Sequence, residues 1–246
     1  MILALLGLLW LQSSNAAVSE ALCGSLRGTH YGPYDYRPAN YKPDVNRLSH
    51  AERRALVEDY HFTPRVENLI GAQSGERVGP PGKDLSYTLR AFPNNHRALV
   101  SVMRYGEKFK TESPPGLQYP VECYFERAIR FAPDDVISRI LYSTYLKKYN
   151  RTAEAAEQLR ISTDLAKDSP FSHYNIGLAY FELKDYSAAL QSAWRAKELG
   201  FDRIDLSEKL KAVGQWREPP EAVEPPTSPA ADAASAAASS PELVEK

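Results

Sequence analysis

Two cysteines and five histidines are the residues of this 246-residue chain best suited to chemistry, and their spacing limits what they can do. The histidines (30, 50, 61, 96 and 173) never stand at i, i+4, the interval that puts two imidazoles on one helix face for a shared metal ion. Cys23 and Cys123 have no paired histidine nearby to complete a zinc site. Glycines never form a phosphate-binding run ahead of a helix. His61-Phe62 and Asn94-Asn95-His96-Arg97 precede or open helical stretches, where capping and packing account for them. The residue types therefore predict a non-enzyme without metal or cofactor.

The cysteines keep a structural role open. If the chain is exported, an oxidising compartment permits a Cys23–Cys123 disulfide. Closing a loop of about 100 residues stabilises by roughly 4–5 kcal/mol in the chain-entropy model. If the chain stays in a reducing compartment, Cys123 is a small buried helix residue and Cys23 a free thiol. The leader bears on this choice. Met1 to Leu11 is an almost uninterrupted apolar run, followed by Ser13, Ser14, Asn15, Ala16 and Ala17. That pattern predicts a signal peptide over residues 1–17, cleaved after Ala16 or Ala17, although no Lys or Arg precedes the run. The run falls short of the about 20 apolar residues a bilayer span needs, so no direct membrane span is expected.

A net charge of −1 with 43% apolar residues favours neither nucleic acid nor an anionic membrane surface as partner. Fifteen tyrosines against eight phenylalanines suit wide amphipathic surfaces, where a ring packs while its hydroxyl stays wet.

Residues 18–83 read as an irregular N-terminal extension with short helices. Its stretch from Cys23 to Asp44 is dense in Pro and Gly and carries Tyr31, Tyr34, Tyr36 and Tyr41. Pinned near the first hairpin by a Cys23–Cys123 bond, this stretch is expected to cover apolar surface there. Ser49 with Glu52 forms a capping box for a helix to about Tyr60, and a second short piece runs from Pro64 to Ile70. Residues 84–216 are helical in pattern, with short polar turns such as 132–134, 149–151 and 184–185 that force antiparallel neighbours. Residues 217–246, rich in Pro, Ala, Ser and Glu, lack the large apolar side chains that offset ordering entropy, which predicts a disordered tail. Along Glu122, Glu126, Arg127 and Arg130 the alternating charges predict a solvated helix face.

A spacing of 34 residues organises the helical part. Phe125, Leu159 and Ala193 keep it, as do Ala128, Ser162 and Ala196, Ala155 and Ala189, and Leu146 and Tyr180. The small residues let two helix backbones approach, and the large ones fill the groove alongside. His173, Ile176, Gly177, Tyr180, Ala189 and Ala196 fall in the pattern of a tetratricopeptide repeat, with Phe201 where that family often has proline. Tyr142, Ser143, Leu146, Ala155, Leu159 and Ser162 form a weaker copy, and Phe125, Ala128, Ile129 and Pro133 the second helix of an earlier one. The resemblance covers roughly residues 84–213. It implies an all-α fold: a right-handed superhelical stack of helix hairpins, with His173 as a packing residue and a cap around Ile204 to Val213.

What the resemblance implies about function is binding. Stacked hairpins curve, and their inner helices line a groove for an extended peptide or a partner's helix. Groove-facing positions are expected at Arg104, Arg139, Ser143, Tyr174 and Asn175. With an export leader, this points to a scaffold or adaptor of the bacterial cell envelope, periplasmic or secreted, holding a protein or peptide partner. Two alternatives stand beside it. One is an enzyme with a site around His30, Asp35 and His61. The other is a cytosolic co-chaperone-like adaptor, for which the inner helices of the last two units supply only Arg139, Lys147 and Lys148 as cations.

Overall fold

Polar side chains set where the helices begin. The computed structural model describes residues 21–26, 31–38, 48–72 and 79–219. The leader, His30, Tyr41 and the tail beyond residue 219 lie outside them. Helix α1 (His50–His61) opens on the expected box, in which Ser49 Oγ accepts from the Glu52 amide and Glu52 answers through the Ser49 amide. A short α2 (Pro64–Glu67) follows and stops earlier than the sequence pattern implies, because Leu69 turns the chain away at φ 57°. Then come α3 (Gly82–Ala91), α4 (His96–Phe109), α5 (Val121–Phe131), α6 (Val136–Lys148) and α7 (Thr152–Ala166). The last are α8 (Pro170–Glu182), α9 (Tyr186–Glu198) and α10 (Asp205–Ala212). Asn95, Asp135, Ser169 and Asp185 cap α4, α6, α8 and α9 by accepting from amides of the first turn. The fold is all-α among the described residues, and no helix there is long and apolar enough to cross a membrane.

From α4 onward the helices pack in two alternating sets. Helices α4, α6, α8 and α10 each touch the next of that set, while α5, α7 and α9 each lie against the helices before and after them. The 34-residue spacing becomes burial: Phe125, Leu159, Ala128, Ser162, Ala155, Ala189, Leu146 and Tyr180 are all interior. Gly177 sits where α8, α9 and α10 meet. A Cβ there would stand 2.5 Å from Leu206 Cδ2 and 3.1 Å from Ser192 Cβ, so the position admits nothing larger without displacement. Two main cores result. One joins α2 to α6 and the start of α7, the other α6 to α10; α6 gives Tyr142, Tyr145 and Leu146 to the first and Ile140 to the second. Each fully buried Leu or Phe contributes about 1.5–3 kcal/mol by leaving water.

The N-terminal extension is built into this packing. Helix α1 lies on α3, and α2 on α4. The Sγ atoms of Cys23 and Cys123 are 2.06 Å apart, a disulfide pairing across 100 residues. Beside it Arg127 is buried, contrary to the solvated face expected from its helix. Its guanidinium donates to the carbonyls of Cys23, Gly24 and Ser25 at 2.9–3.1 Å. Those three acceptors come from a segment about 100 residues away, which charge alternation along α5 cannot reveal.

Tyr31, Tyr34 and Tyr36 pack against a small third core of Val57, Ala91 and Phe92. The Tyr34 amide donates to Ala91 O at 2.8 Å, and the buried Arg53 lies 4.4 Å over the Tyr34 ring. Asn94 then joins three segments. Its Oδ1 accepts from the Tyr36 amide, and its Nδ2 donates to Asp35 and to Asp135. Arg37 donates to Asp35 at 2.7 Å and Asp134 at 2.9 Å, and His96 bonds Asp135 at 2.8 Å. Burial opposes charge on Asp35, yet hydrogen bonds from Arg37 and Asn94 outweigh it and hold the carboxyl at about 2. Asp135 shows the same balance: burial works against its charge, and His96 and Asn94 bring its pKa below the ordinary value.

Candidate functional site

Two helical stripes face each other across a cleft between α6 and α8. On α6 the stripe is Ile140, Ser143, Thr144, Lys147 and Lys148; on α8 it is Asn175, Leu178, Ala179, Glu182 and Leu183. Both follow the i, i+3, i+4, i+7 rule for one helix face. The cleft measures about 450 Å³. Its floor is apolar, from Ile140, Leu178, Ala179 and Leu183.

Its hydrogen-bonding groups are few and partly engaged. Thr144 Oγ1 donates to Ile140 O at 3.0 Å, and Asn175 Nδ2 to Phe171 O at 2.7 Å, each within its own helix. Charges gather at the rim. Lys147 pairs with Glu182 at 2.9 Å across the end of the cleft, and Lys148 pairs with Glu107 of α4. These pairs are solvent-exposed and contribute little to stability, about 0–1 kcal/mol. An incoming charged group can therefore exchange for either partner at low cost.

Of the five residues expected to face a groove, the structure brings Ser143 and Asn175 into this cleft. Arg104 is exposed on α4, outside it. Arg139 is turned back on its own helix start, donating to Pro133 O at 2.9 and 3.0 Å and to Gln158 at 3.0 Å. Tyr174 is buried against Phe201, with its hydroxyl donating to Asp205 Oδ2 at 3.0 Å. That ring serves the packing of α8 on α10. His173 is buried as well, bonded to Lys167 O at 2.7 Å. Sequence reasoning overlooked Ile140, Thr144, Leu178, Ala179, Glu182 and Leu183. The 34-residue repeat did not point to them, because the two stripes correspond one residue out of that register: Ile140 with Asn175, Ser143 with Leu178, Thr144 with Ala179.

Other sequence candidates have separate partners. His61 bonds Asp84 at 3.0 Å, whereas Asp35 belongs to the Arg37–Asn94 network. Among the described residues no trio of His, Cys, Asp or Glu side chains forms a group able to hold a metal ion. What the α6–α8 cleft can do chemically is hold an apolar side chain or a helix edge while its rim offers one sign of charge or the other. No family model, no curated protein and no solved structure matches this chain.

Proposed function

We propose that this chain is a non-catalytic scaffold or adaptor of the tetratricopeptide kind, a right-handed stack of hairpins acting in the bacterial cell envelope. In this reading residues 1–17 direct export and are removed, and the protein works in the periplasm or outside the cell. Its partner is a protein or peptide held along the concave row α4, α6, α8 and α10. One observation carries the reading: two parallel stripes on α6 and α8 leave an apolar-floored cleft open between helices that otherwise pack closely. The buried Cys23–Cys123 pair supports a compartment that permits disulfides.

The test is affinity capture from envelope extract with the full chain and with Leu178→Glu, which places a charge on the cleft floor. A partner retained by the first should fall about tenfold or more with the second, since burying an unpaired charge is costly. Equal capture by both would refute cleft binding. Fractionation with thiol alkylation tests location: oxidised cysteines in the periplasmic fraction are expected, and free thiols in the cytosol would overturn that part.

A further inference from the structure

A second concavity, of about 330 Å³, lies between the end of α1, the outer face of α3 and residues 116–118, with His61, Lys83, Asp84, Tyr87, Arg90 and Gln118 on its walls. Beside it the loop between α4 and α5 lies directly on the first turn of α3, where a Cβ on Gly82 would collide with Pro115 O. Charge here is unbalanced. Among the described residues the ammonium of Lys83 and the guanidinium of Arg90 make no hydrogen bond or ion pair, and the buried Arg90 Nε has no acceptor. Arg90 lies 5.8 Å over the Tyr87 ring. Behind it, burial pushes the Arg127 guanidinium below its ordinary pKa.

The carboxylate on these walls is already engaged. Asp84 is buried and takes His61 Nδ1 at 3.0 Å. A carboxylate oxygen accepts, so the proton of His61 sits on Nδ1, and stacking on Tyr87 at 3.8 Å fixes the ring plane. His61 Nε2 is then the ring's remaining polar atom, with no protein partner among the described residues. Two cations that form no ion pair among the described residues, against one carboxylate already bonded to His61, stand beside a ring nitrogen able to accept or donate. Together they fit an anionic ligand whose oxygens do both. A phosphate monoester near neutral pH has that character. The cavity also has room for the group the phosphate is attached to.

We propose that this cleft binds the phosphate of a phosphomonoester, with Arg90 and Lys83 neutralising its charge and His61 Nε2 meeting one oxygen. Arg90 supplies the fork and Lys83 the point charge. The inference is independent of partner binding between α6 and α8.

Calorimetric titration of the purified full chain at low ionic strength tests it, with inorganic phosphate as the first probe. Vesicles of phosphatidylcholine with and without phosphatidic acid are the second. Phosphate binding is expected to weaken about tenfold in Arg90→Gln and severalfold in Lys83→Gln, with no change in Lys211→Gln on α10. Acetate at equal concentration should not compete. Vesicle retention that needs phosphatidic acid and is lost in Arg90→Gln would place the phosphate on a lipid headgroup. Binding of soluble phosphate with no such retention would place it on a soluble ligand. Absence of both, binding indifferent to both charge-removing variants, or equal competition by acetate overturns the proposal. Lys83 is exposed, so its variant stays informative even if Arg90→Gln fails to fold.

Discussion

The two halves of the helical region are held by different means. Helices α1 to α5 depend on ties between distant segments: the Cys23–Cys123 pair, Arg127 on the carbonyls of residues 23–25, and Asn94 joining Asp35 to Asp135. Helices α6 to α10 depend on small residues and local bonds. Ser162 and Ser192 return their hydroxyls to carbonyls of their own helices, at Gln158 and Ala188. Gly177, Ala189 and Ala196 let neighbours close in. Similar helix pairing thus arises once from repeated small side chains and once from polar groups that need a specific remote partner. The first kind tolerates drift along the chain; the second fails if one partner is lost.

Replacing both cysteines with serine should produce the largest effect, a loss of about 4–5 kcal/mol in denaturant unfolding, because the closed loop spans 100 residues. Amide exchange should rise in α1 to α5 while α8 to α10 keep their protection. Protection lost evenly along the chain would show that the halves are not separable. Gly177→Val reverses the pattern: overpacking against Leu206 and Ser192 should cost roughly 3 kcal/mol and raise exchange in α8 to α10 first. The smallest effect is acid sensitivity of the first half. Asp35 has a folded pKa of about 2, below its unfolded value of about 3.9, so its stabilisation is complete above pH 4 and fades as the pH falls to 2. Discounted for its partial exposure, the loss is about 1 kcal/mol. Asp35→Asn should flatten that part of the stability curve, and an unchanged slope would remove this tie from the account.

The same contrast governs what the sequence discloses. Phe125, Leu159 and Ala155 could be placed inside from spacing alone, since helical periodicity and burial are the same information. Ser49 with Glu52 was legible because a capping box is local. Arg53, Asp84 and Arg127 were not, because burying a charge requires partners that lie far off in the chain: His61 for Asp84, residues 23–25 for Arg127. The α6–α8 cleft was half legible. Ser143 and Asn175 line it, whereas Tyr174 is buried because its environment comes from α10 and Phe201, outside its own hairpin.

The bridge from Asn94 to Asp135 bears on how the protein is made. A ribosome or an export channel delivers the chain from its N-terminus, so residues 31 to 96 emerge before either Cys123 or Asp135 exists. Until then the tyrosine segment has its bonds to Ala91 and Asn94 but not the bridge onward to Asp135, and Cys23 remains open to other thiols. The opening third of the polypeptide is therefore completed by the middle one, which leaves an interval during biogenesis when a holding factor or oxidant has the most to act upon.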